Sequence, residues 1–332
     1  MTNQASIPPV PPWVLAALGV DSADRLAMAP LVGGWSGSQL WRIDMPGQPS
    51  HVLRIVPGRS DAGPRREAAI HALVVRHGIP APDVIAIGPV AGGTAMLMVF
   101  MPGIPLTQAL LRAANAGAAN ALGLSVGAML ARIHAIPHSA LVEAELGAGE
   151  RYELGTWSDW QTVRPAVADV LAPWRGDIRE SRLLHLDINP ENVLVDPGSG
   201  VITAVLDWTN ARLGPPIADL ARTRSILRLA GAMPNLPPGA NGVLDAFSRG
   251  FMDGHARQHG MSVDPAMLLA FDAWALEIQI ADLAPKLGMP GIWLTEATIA
   301  DLQVARDHAV AQAEVAAREA GIGPDGATMV SS

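Results

Sequence analysis

The feature that most constrains this chain is a short ribbon near its middle. Val193-Leu194-Val195 is an apolar run, Asp196-Pro197-Gly198-Ser199-Gly200 is a tight-turn sequence, and Val201 to Leu206 is a second apolar run. Two such runs around such a turn predict an antiparallel hairpin. Folding it about Gly198 and Ser199 returns Asp207 to the side of Asn192. An amide oxygen and a carboxylate then share one end of a rigid ribbon. That pair suits Mg²⁺, a hard cation that takes oxygen ligands and keeps positions for phosphate and water.

The residues leading into the ribbon sharpen this. His185-Leu186-Asp187-Ile188-Asn189-Pro190-Glu191-Asn192 has the spacing H-x-D-x-x-x-x-N. Asp187 lies five residues before Asn192, near the expected metal without having to ligate it. There its carboxylate can accept a hydrogen bond from a substrate hydroxyl and orient that hydroxyl towards a γ-phosphate.

The rest of the chain divides around this point. Met28 to Val32, Gln39 to Asp44, His51 to Val56, Val84 to Ile87 and Ala95 to Phe100 read as strands. Pro64 to His77 reads as a helix, and the Gly/Pro-rich stretch Gly88 to Gly93 as a loop. Met101-Pro102-Gly103-Ile104-Pro105 is punctuation. Beyond it the pattern is helical: Ala118 to Ile136, Asp159 to Leu171, Ile217 to Leu229, Val243 to His259, Pro265 to Leu287 and Thr295 to Glu319. The expected division is an extension over 1–27, a small β lobe over 28–101, a hinge over 102–105, a helical lobe over 106–320 and a tail over 321–332.

Composition excludes several chemistries. There is no cysteine, so disulfides, thiolate nucleophiles and cysteine-zinc sites are out. The formal charge of −8 divides unevenly, +1 up to residue 105 and −9 after it, where sixteen basic residues face twenty-five acids; no nucleic-acid footprint appears. No charged segment precedes an apolar run, and no apolar run is read as long enough to cross a bilayer, so a cytoplasmic protein without membrane partners is expected. Lys286 is the only lysine, which rules out a Walker-type Gly-Lys-Ser/Thr loop. Gly34-Trp35-Ser36-Gly37-Ser38 departs from the G-x-S-x-G elbow at its last position. His255 and His259 share a helical i,i+4 spacing and read as a solvated face, and His134 and His138 read as a helix end. Trp157, Trp160 and Trp274 are candidates to line a pocket.

The catalytic segment 185–195, with Val205-Leu206-Asp207-Trp208 and Pro216-Ile217-Ala218-Asp219-Leu220-Ala221, resembles the aminoglycoside phosphotransferase and choline kinase family. The resemblance spans roughly residues 28 to 230. It implies an α+β, bilobal protein-kinase-like fold: a small antiparallel β lobe with one helix and a larger, mostly helical lobe. It implies Asp187 as catalytic base or orienter, His185 as a brace of the loop, and Asn192 and Asp207 as Mg²⁺ ligands. Asp219 resembles the family's structural aspartate, expected to support the start of the helix after Pro216.

Further matches extend it. Gly33-Gly34-Trp35-Ser36-Gly37-Ser38 is similar to the nucleotide loop, which assigns Gly34, Ser36, Gly37 and Ser38 to phosphate contact. Val52-Leu53-Arg54-Ile55 resembles the strand with the phosphate-contacting lysine, Glu67 the acid that pairs with it, and Met98 to Gly103 the adenine hinge, including Met98 and Phe100. Leu130-Ala131-Arg132-Ile133-His134-Ala135-Ile136-Pro137 is similar to a common helix ending. ATP or GTP and Mg²⁺ are the implied cofactors, and a small-molecule hydroxyl the acceptor. Should that acceptor be cationic, Asp272, Glu277 and Asp282 on one helix, or Asp159, would meet its charge.

Three positions depart from the family: Arg54 in place of lysine, Leu186 in place of glycine and Asn189 in place of histidine. They leave a second expectation open, a catalytically weak or dead nucleotide-binding protein.

Overall fold

The structure is a computed structural model. It describes residues 8–31, 38–58, 60–113, 115–147, 149–159, 162–174, 181–260 and 263–322. Contacts group the chain into two compact units, one of 1–105, 139–153 and 191–209, the other of 106–138, 154–190 and 210–332.

The first unit is built on antiparallel strands β1 (Ala27–Leu31), β2 (Gln39–Asp44), β3 (His51–Pro57), β4 (Val84–Val90) and β5 (Gly93–Val99), in the order β1-β2-β3-β5-β4. Helices α1 (Pro12–Leu18) and α2 (Ala62–Arg76) flank it. Period-two alternation sorts its side chains. Trp41, Ile43, Leu53, Ala95 and Leu97 form one core with Val14 of α1. Register places Arg54 opposite Met96 and Val52 opposite Met98, so these four share the other face.

The Gly/Pro-rich stretch 88–93 is strand rather than loop. Gly88 pairs with Ala95 and Pro89 with Thr94, leaving Ala91 and Gly92 as the turn. Proline is tolerated because β4 is the edge strand and needs no outward N–H donor. Gly88 is small for a reason: the Trp13 ring lies where a Cβ would stand, 2.6 Å from Trp13 Cε2, and Trp13 Nε1 donates to the Pro89 carbonyl at 3.0 Å.

The predicted ribbon forms as β8 (Val193–Val195) and β9 (Ile202–Val205). A strand of two residues, β6 (Ile104–Pro105), adds to it. The presumed hinge is therefore in part sheet. At Gly103, φ is 131°, and a Cβ would stand 2.5 Å from Thr203 Oγ1, whose hydroxyl donates to Pro102 O at 2.6 Å. Asp196 ties the turn, accepting from Gly198 N at 3.1 Å and from both Ser199 N and Ser199 Oγ at 2.8 Å.

The second unit contains α3 (Leu106–Leu111), α4 (Ala116–His134), α6 (Pro165–Leu171), α7 (Pro216–Gly231), α8 (Ala240–His259), α9 (Pro265–Leu283) and α10 (Glu296–Glu319), with the short pair β7 (Arg182–Leu184) and β10 (Arg212–Gly214); α5 (Ser139 onward, within His138–Glu143) falls largely in the first unit. Caps fix the helix starts. Asn115 accepts from Ala118 N for α4, Asp264 from Ala266 N and Met267 N for α9, and Thr295 from Thr298 N for α10. Trp157 and Trp274 pack edge-on at 5.1 Å within the core, 6% and 1% exposed; Trp160 lies outside the described residues.

By length and composition α4 could cross a bilayer, contrary to the expectation from sequence. It is apolar because it is a core helix. Gly123 and Gly127 on α4, and Gly250 and Gly254 on α8, each have a backbone oxygen of the facing helix about where a Cβ would stand: Phe247 O at 2.1 Å, Phe251 O at 2.0 Å, Asn120 O at 2.1 Å and Leu124 O at 2.2 Å. Two reciprocal glycine pairs thus bring the helix backbones into direct contact.

Candidate active site

The first unit carries a charged cluster. Asp207 lies two residues beyond β9 and sits at φ 59°, a left-handed turn that an aspartate tolerates better than most residues. The backbone N–H of Leu206 donates to Asn192 O at 2.8 Å, so Asn192 and Asp207 close the same end of the ribbon. Asp207 Oδ1 accepts from Thr209 Oγ1 at 2.7 Å and from Arg54 Nη2 at 3.3 Å. Its Oδ2 accepts no hydrogen bond from the described residues.

Arg54 spans this cluster. Its Nη1 donates to Glu67 Oε1 at 2.7 Å and its Nη2 to Asp207 and to Thr209 Oγ1 at 3.1 Å. A planar fork presents separate N–H groups to the two carboxylates at fixed angles, whereas an ammonium is a compact point charge at shorter reach. Burial alone would push the Glu67 carboxyl up, but the His71 ring and the Arg54 guanidinium overcome it and hold it at about 2. Arg54 is in hydrogen-bond contact, whereas His71 Nε2 stands 3.9 Å away. The same two carboxylates raise Arg54 against the opposing effect of its burial. Sequence reasoning missed His71, whose Nδ1 binds the Pro82 carbonyl at 2.7 Å; its only signal is the i,i+4 spacing from Glu67.

Of the nucleotide residues, Met98 is buried in β5. Phe100 follows β5 under the Arg42 guanidinium, 4.5 Å from its ring centroid. Ser38 directly precedes β2. Gly34, Ser36 and Gly37 lie outside the described residues.

The second unit carries the loop of Asp187. The N–H of Asp187 donates to His185 Nδ1 at 3.2 Å, and Asn189 Nδ2 donates to Asp187 Oδ1 at 3.1 Å. Leu186 explains why a glycine is common at its position. It sits at φ 60°, where a side chain costs about 1 kcal/mol. Its side chain is fully buried in the helical core, which offsets that cost.

Asp219 does something other than cap its own helix. Its Oδ2 accepts from His185 N at 2.7 Å and its Oδ1 from Leu186 N at 2.9 Å. Asp219 lies in the first turn of α7, and its carboxylate is directed to the loop, while the helix start has no side-chain cap. His134 Nε2 lies 3.1 Å from Asp219 Oδ2, and His134 Nδ1 lies 2.9 Å from His255 Nε2. His255 is 3% exposed, so the solvated face expected for it is corrected: α8 turns this residue onto α4. Burial would push the Asp219 carboxyl up, and the bonds from His134 and the loop outweigh it and hold it down.

The acids suggested for a cationic acceptor have partners. Asp272 takes two bonds from Arg224 at 3.0 and 3.1 Å, Glu277 pairs with Arg306 at 2.7 Å, and Asp282 with Arg222 at 2.7 Å. Burial nevertheless pushes the Asp272 carboxyl up against the pull of Arg224. Asp159 is exposed and accepts from the Thr156 hydroxyl at 2.6 Å. Asp272 also borders a cleft of about 540 Å³ with Arg228, Asp245 and His308, and Asp187 is not among its lining residues. Arg222 is buried, and the charges of Asp282 and Asp187 act on it.

Among the described residues there is no cluster of three or more His, Asp or Glu fit for a metal. A magnesium ion bound by one or two side chains plus phosphate oxygens needs no such cluster, and an amide beside a carboxylate with one open oxygen fits it.

Comparisons with known proteins bear on the fold and the family. A solved structure from Ralstonia eutropha JMP134, described as a candidate aminoglycoside phosphotransferase, is 17% identical, with a TM-score of 0.61 over 88% of this chain and 93% of that one. The GDP and kanamycin complex of APH(2″)-IIIa is 14% identical, with a TM-score of 0.56 over 90% and 97% of the two chains. Likeness at this level establishes the protein-kinase-like fold. Acyl-CoA dehydrogenase family member 10 of Mus musculus is 25% identical over 185 residues, which cover 52% of this chain but only 17% of that protein. The phosphotransferase enzyme family (APH) matches residues 27–257, and the chain belongs to that family.

Proposed function

We propose that the chain transfers the γ-phosphate of ATP or GTP to a hydroxyl of a small molecule, with Asp187 orienting and deprotonating that hydroxyl. The observation that carries this reading is the closed end of the ribbon: Asn192 and Asp207 are joined through Leu206 N, and one Asp207 oxygen is fixed while the other stays open. Mg²⁺ held by Asn192 and Asp207 would supply charge neutralisation between phosphate oxygens.

In this reading Asn189 Nδ2 steadies the Asp187 carboxylate through Oδ1, and that carboxylate accepts the hydrogen bond of the acceptor hydroxyl. The acceptor oxygen bonds to the γ-phosphorus as the bridging oxygen leaves with the nucleoside diphosphate, and the hydroxyl proton passes to Asp187. Arg54 steadies Asp207 through its bond to Oδ1. The GDP named in the fold neighbours accords with a nucleotide donor. A cationic acceptor would have to displace arginines from Asp272, Glu277 or Asp282, or bind elsewhere.

A second reading is a nucleotide-binding protein with little turnover. Arg54 favours it, because it places a cation on the carboxylate that the metal needs. A panel of hydroxyl acceptors with γ-labelled ATP and GTP separates the two. Magnesium-dependent label transfer that Asp187→Asn removes supports the kinase. Nucleotide binding with no transfer to any acceptor supports the second reading.

A further inference from the structure

Two histidines on helices remote in sequence from the loop at 185–189 form a line that ends on its backbone. His134 closes α4 and His255 lies near the end of α8. Asp219 joins them to the N–H groups of His185 and Leu186. His134, Asp219 and His185 are fully buried.

The order of protons along this line follows from its chemistry. The Asp219 carboxylate is ionised and can only accept, so His134 Nε2 carries the hydrogen. His255 Nδ1 is buried with no hydrogen-bond partner, so it is the bare nitrogen of that ring and Nε2 carries the hydrogen. His255 Nε2 then donates to His134 Nδ1 at 2.9 Å. The opposite order would bury an unpaired N–H there instead, a worse state than an unpaired lone pair. Burial above all holds His255 in its neutral form, down at about 3. His259 stacks on it at 5.2 Å, and on the remaining packed element, α7, Asp219 is the carboxylate that acts on it.

We propose that His134 and His255 are positioning residues: a line of ordered, neutral imidazole hydrogen bonds running from α8 through α4 fixes Asp219, and Asp219 fixes the loop that carries Asp187. The glycine pairs of α4 and α8 belong to the same device. Backbone contact at Gly127 with Phe251 O and His255 N leaves the two helices no room to slide and sets the distance between the imidazoles. Any effect on catalysis rests on the assignment of Asp187 as the reacting carboxylate. The effect on the loop does not.

The test compares His255→Gln, whose amide N–H can still donate to His134 Nδ1, with His255→Leu, which fills similar space and cannot. The first readout is hydrogen exchange at the amides of His185 and Leu186. His255→Leu is expected to speed their exchange about tenfold, and His255→Gln to stay near wild type. The second readout is ¹⁵N spectroscopy of the wild type, in which His134 and His255 should both be neutral with the hydrogen on Nε2. Where transfer is measurable, kcat should fall in His255→Leu with the nucleotide KM unchanged and return in His255→Gln. Equal exchange in both variants and wild type, equal loosening by Gln and Leu, or a hydrogen on His134 Nδ1 overturns the proposal. A loosened loop in a protein that transfers no phosphate would sink the kinase reading and leave this one standing.

Discussion

The two polar clusters of this protein are built on opposite plans. Arg54, Glu67, Asp207 and Thr209 in the first unit form a charged knot, with Asp207 partly open to solvent. Asp219, His134 and His255 in the second unit form a closed line, buried throughout, in which one charge is spread over several donors. The first can exchange a partner for a ligand, since Asp207 keeps one oxygen in reserve. The second has nothing to exchange and can only hold. A ligand-binding group needs the first plan, and the support behind a reacting group needs the second.

Removing the anchor of the closed line should cost most. Asp219→Ala strands the N–H groups of His185 and Leu186 and the His134 Nε2 donor in a buried site. Urea denaturation should show a loss on the order of 3–5 kcal/mol. Glu67→Ala should cost less, because Arg54 retains Asp207 and Thr209. Equal losses would erase the contrast.

Acid should separate the clusters by window. His255 is held at about 3 against an ordinary 6.5. The unfolded chain thus takes up a proton there first, and the contribution is complete above pH 6.5 and lost as pH falls towards 3. Between pH 7 and 4 this is roughly 2–3 kcal/mol, and His255→Leu should abolish it. Glu67 is held at about 2 against 4.5, so its contribution is complete above pH 4.5 and lost only below that. A stability profile flat from pH 7 to 4 in the wild type contradicts the closed line.

The charged knot should respond to Arg54→Lys. An ammonium has shorter reach and lacks the fork that meets Glu67 and Asp207 from separate N–H groups, and a loss of about 1–2 kcal/mol in stability is expected by denaturation. Smaller still is Arg42→Ala, which removes an exposed cation from the face of Phe100. About 0.5–1 kcal/mol should be lost there, read as a shift of the unfolding midpoint.

The charged knot was largely legible in the sequence, and the closed line was not. The ribbon could be read because its signals are local: apolar runs, an Asp-Pro-Gly-Ser-Gly turn, and polar residues at both ends. Arg54 and Glu67 were legible through their family positions. His255 was misread because i,i+4 spacing defines a helix face without saying what that face meets. The missing signal lay beside it: Gly250 and Gly254 on α8 match Gly123 and Gly127 on α4, and such pairs announce a close helix contact. The stretch 88–93 was misread because glycine and proline break strands in isolation, whereas an edge position and an overlying Trp13 ring accommodate both. The three acids of α9 drew attention by charge alone, and their arginine partners come from α7 and α10, which no local pattern links to them.

We propose Asp187 as the group that serves phosphoryl transfer, and Asn192 and Asp207 as the groups that hold magnesium. The most direct measurement is transfer of label from γ-labelled nucleotide to the best hydroxyl acceptor, with and without magnesium, in wild type, Asp187→Asn and Asp207→Asn. The account predicts that chelating the metal abolishes transfer. It also predicts that Asp187→Asn lowers kcat by about 10²–10⁴ while still binding nucleotide, and that Asp207→Asn weakens magnesium dependence and rate together. Transfer that survives Asp187→Asn at the wild-type rate would contradict it.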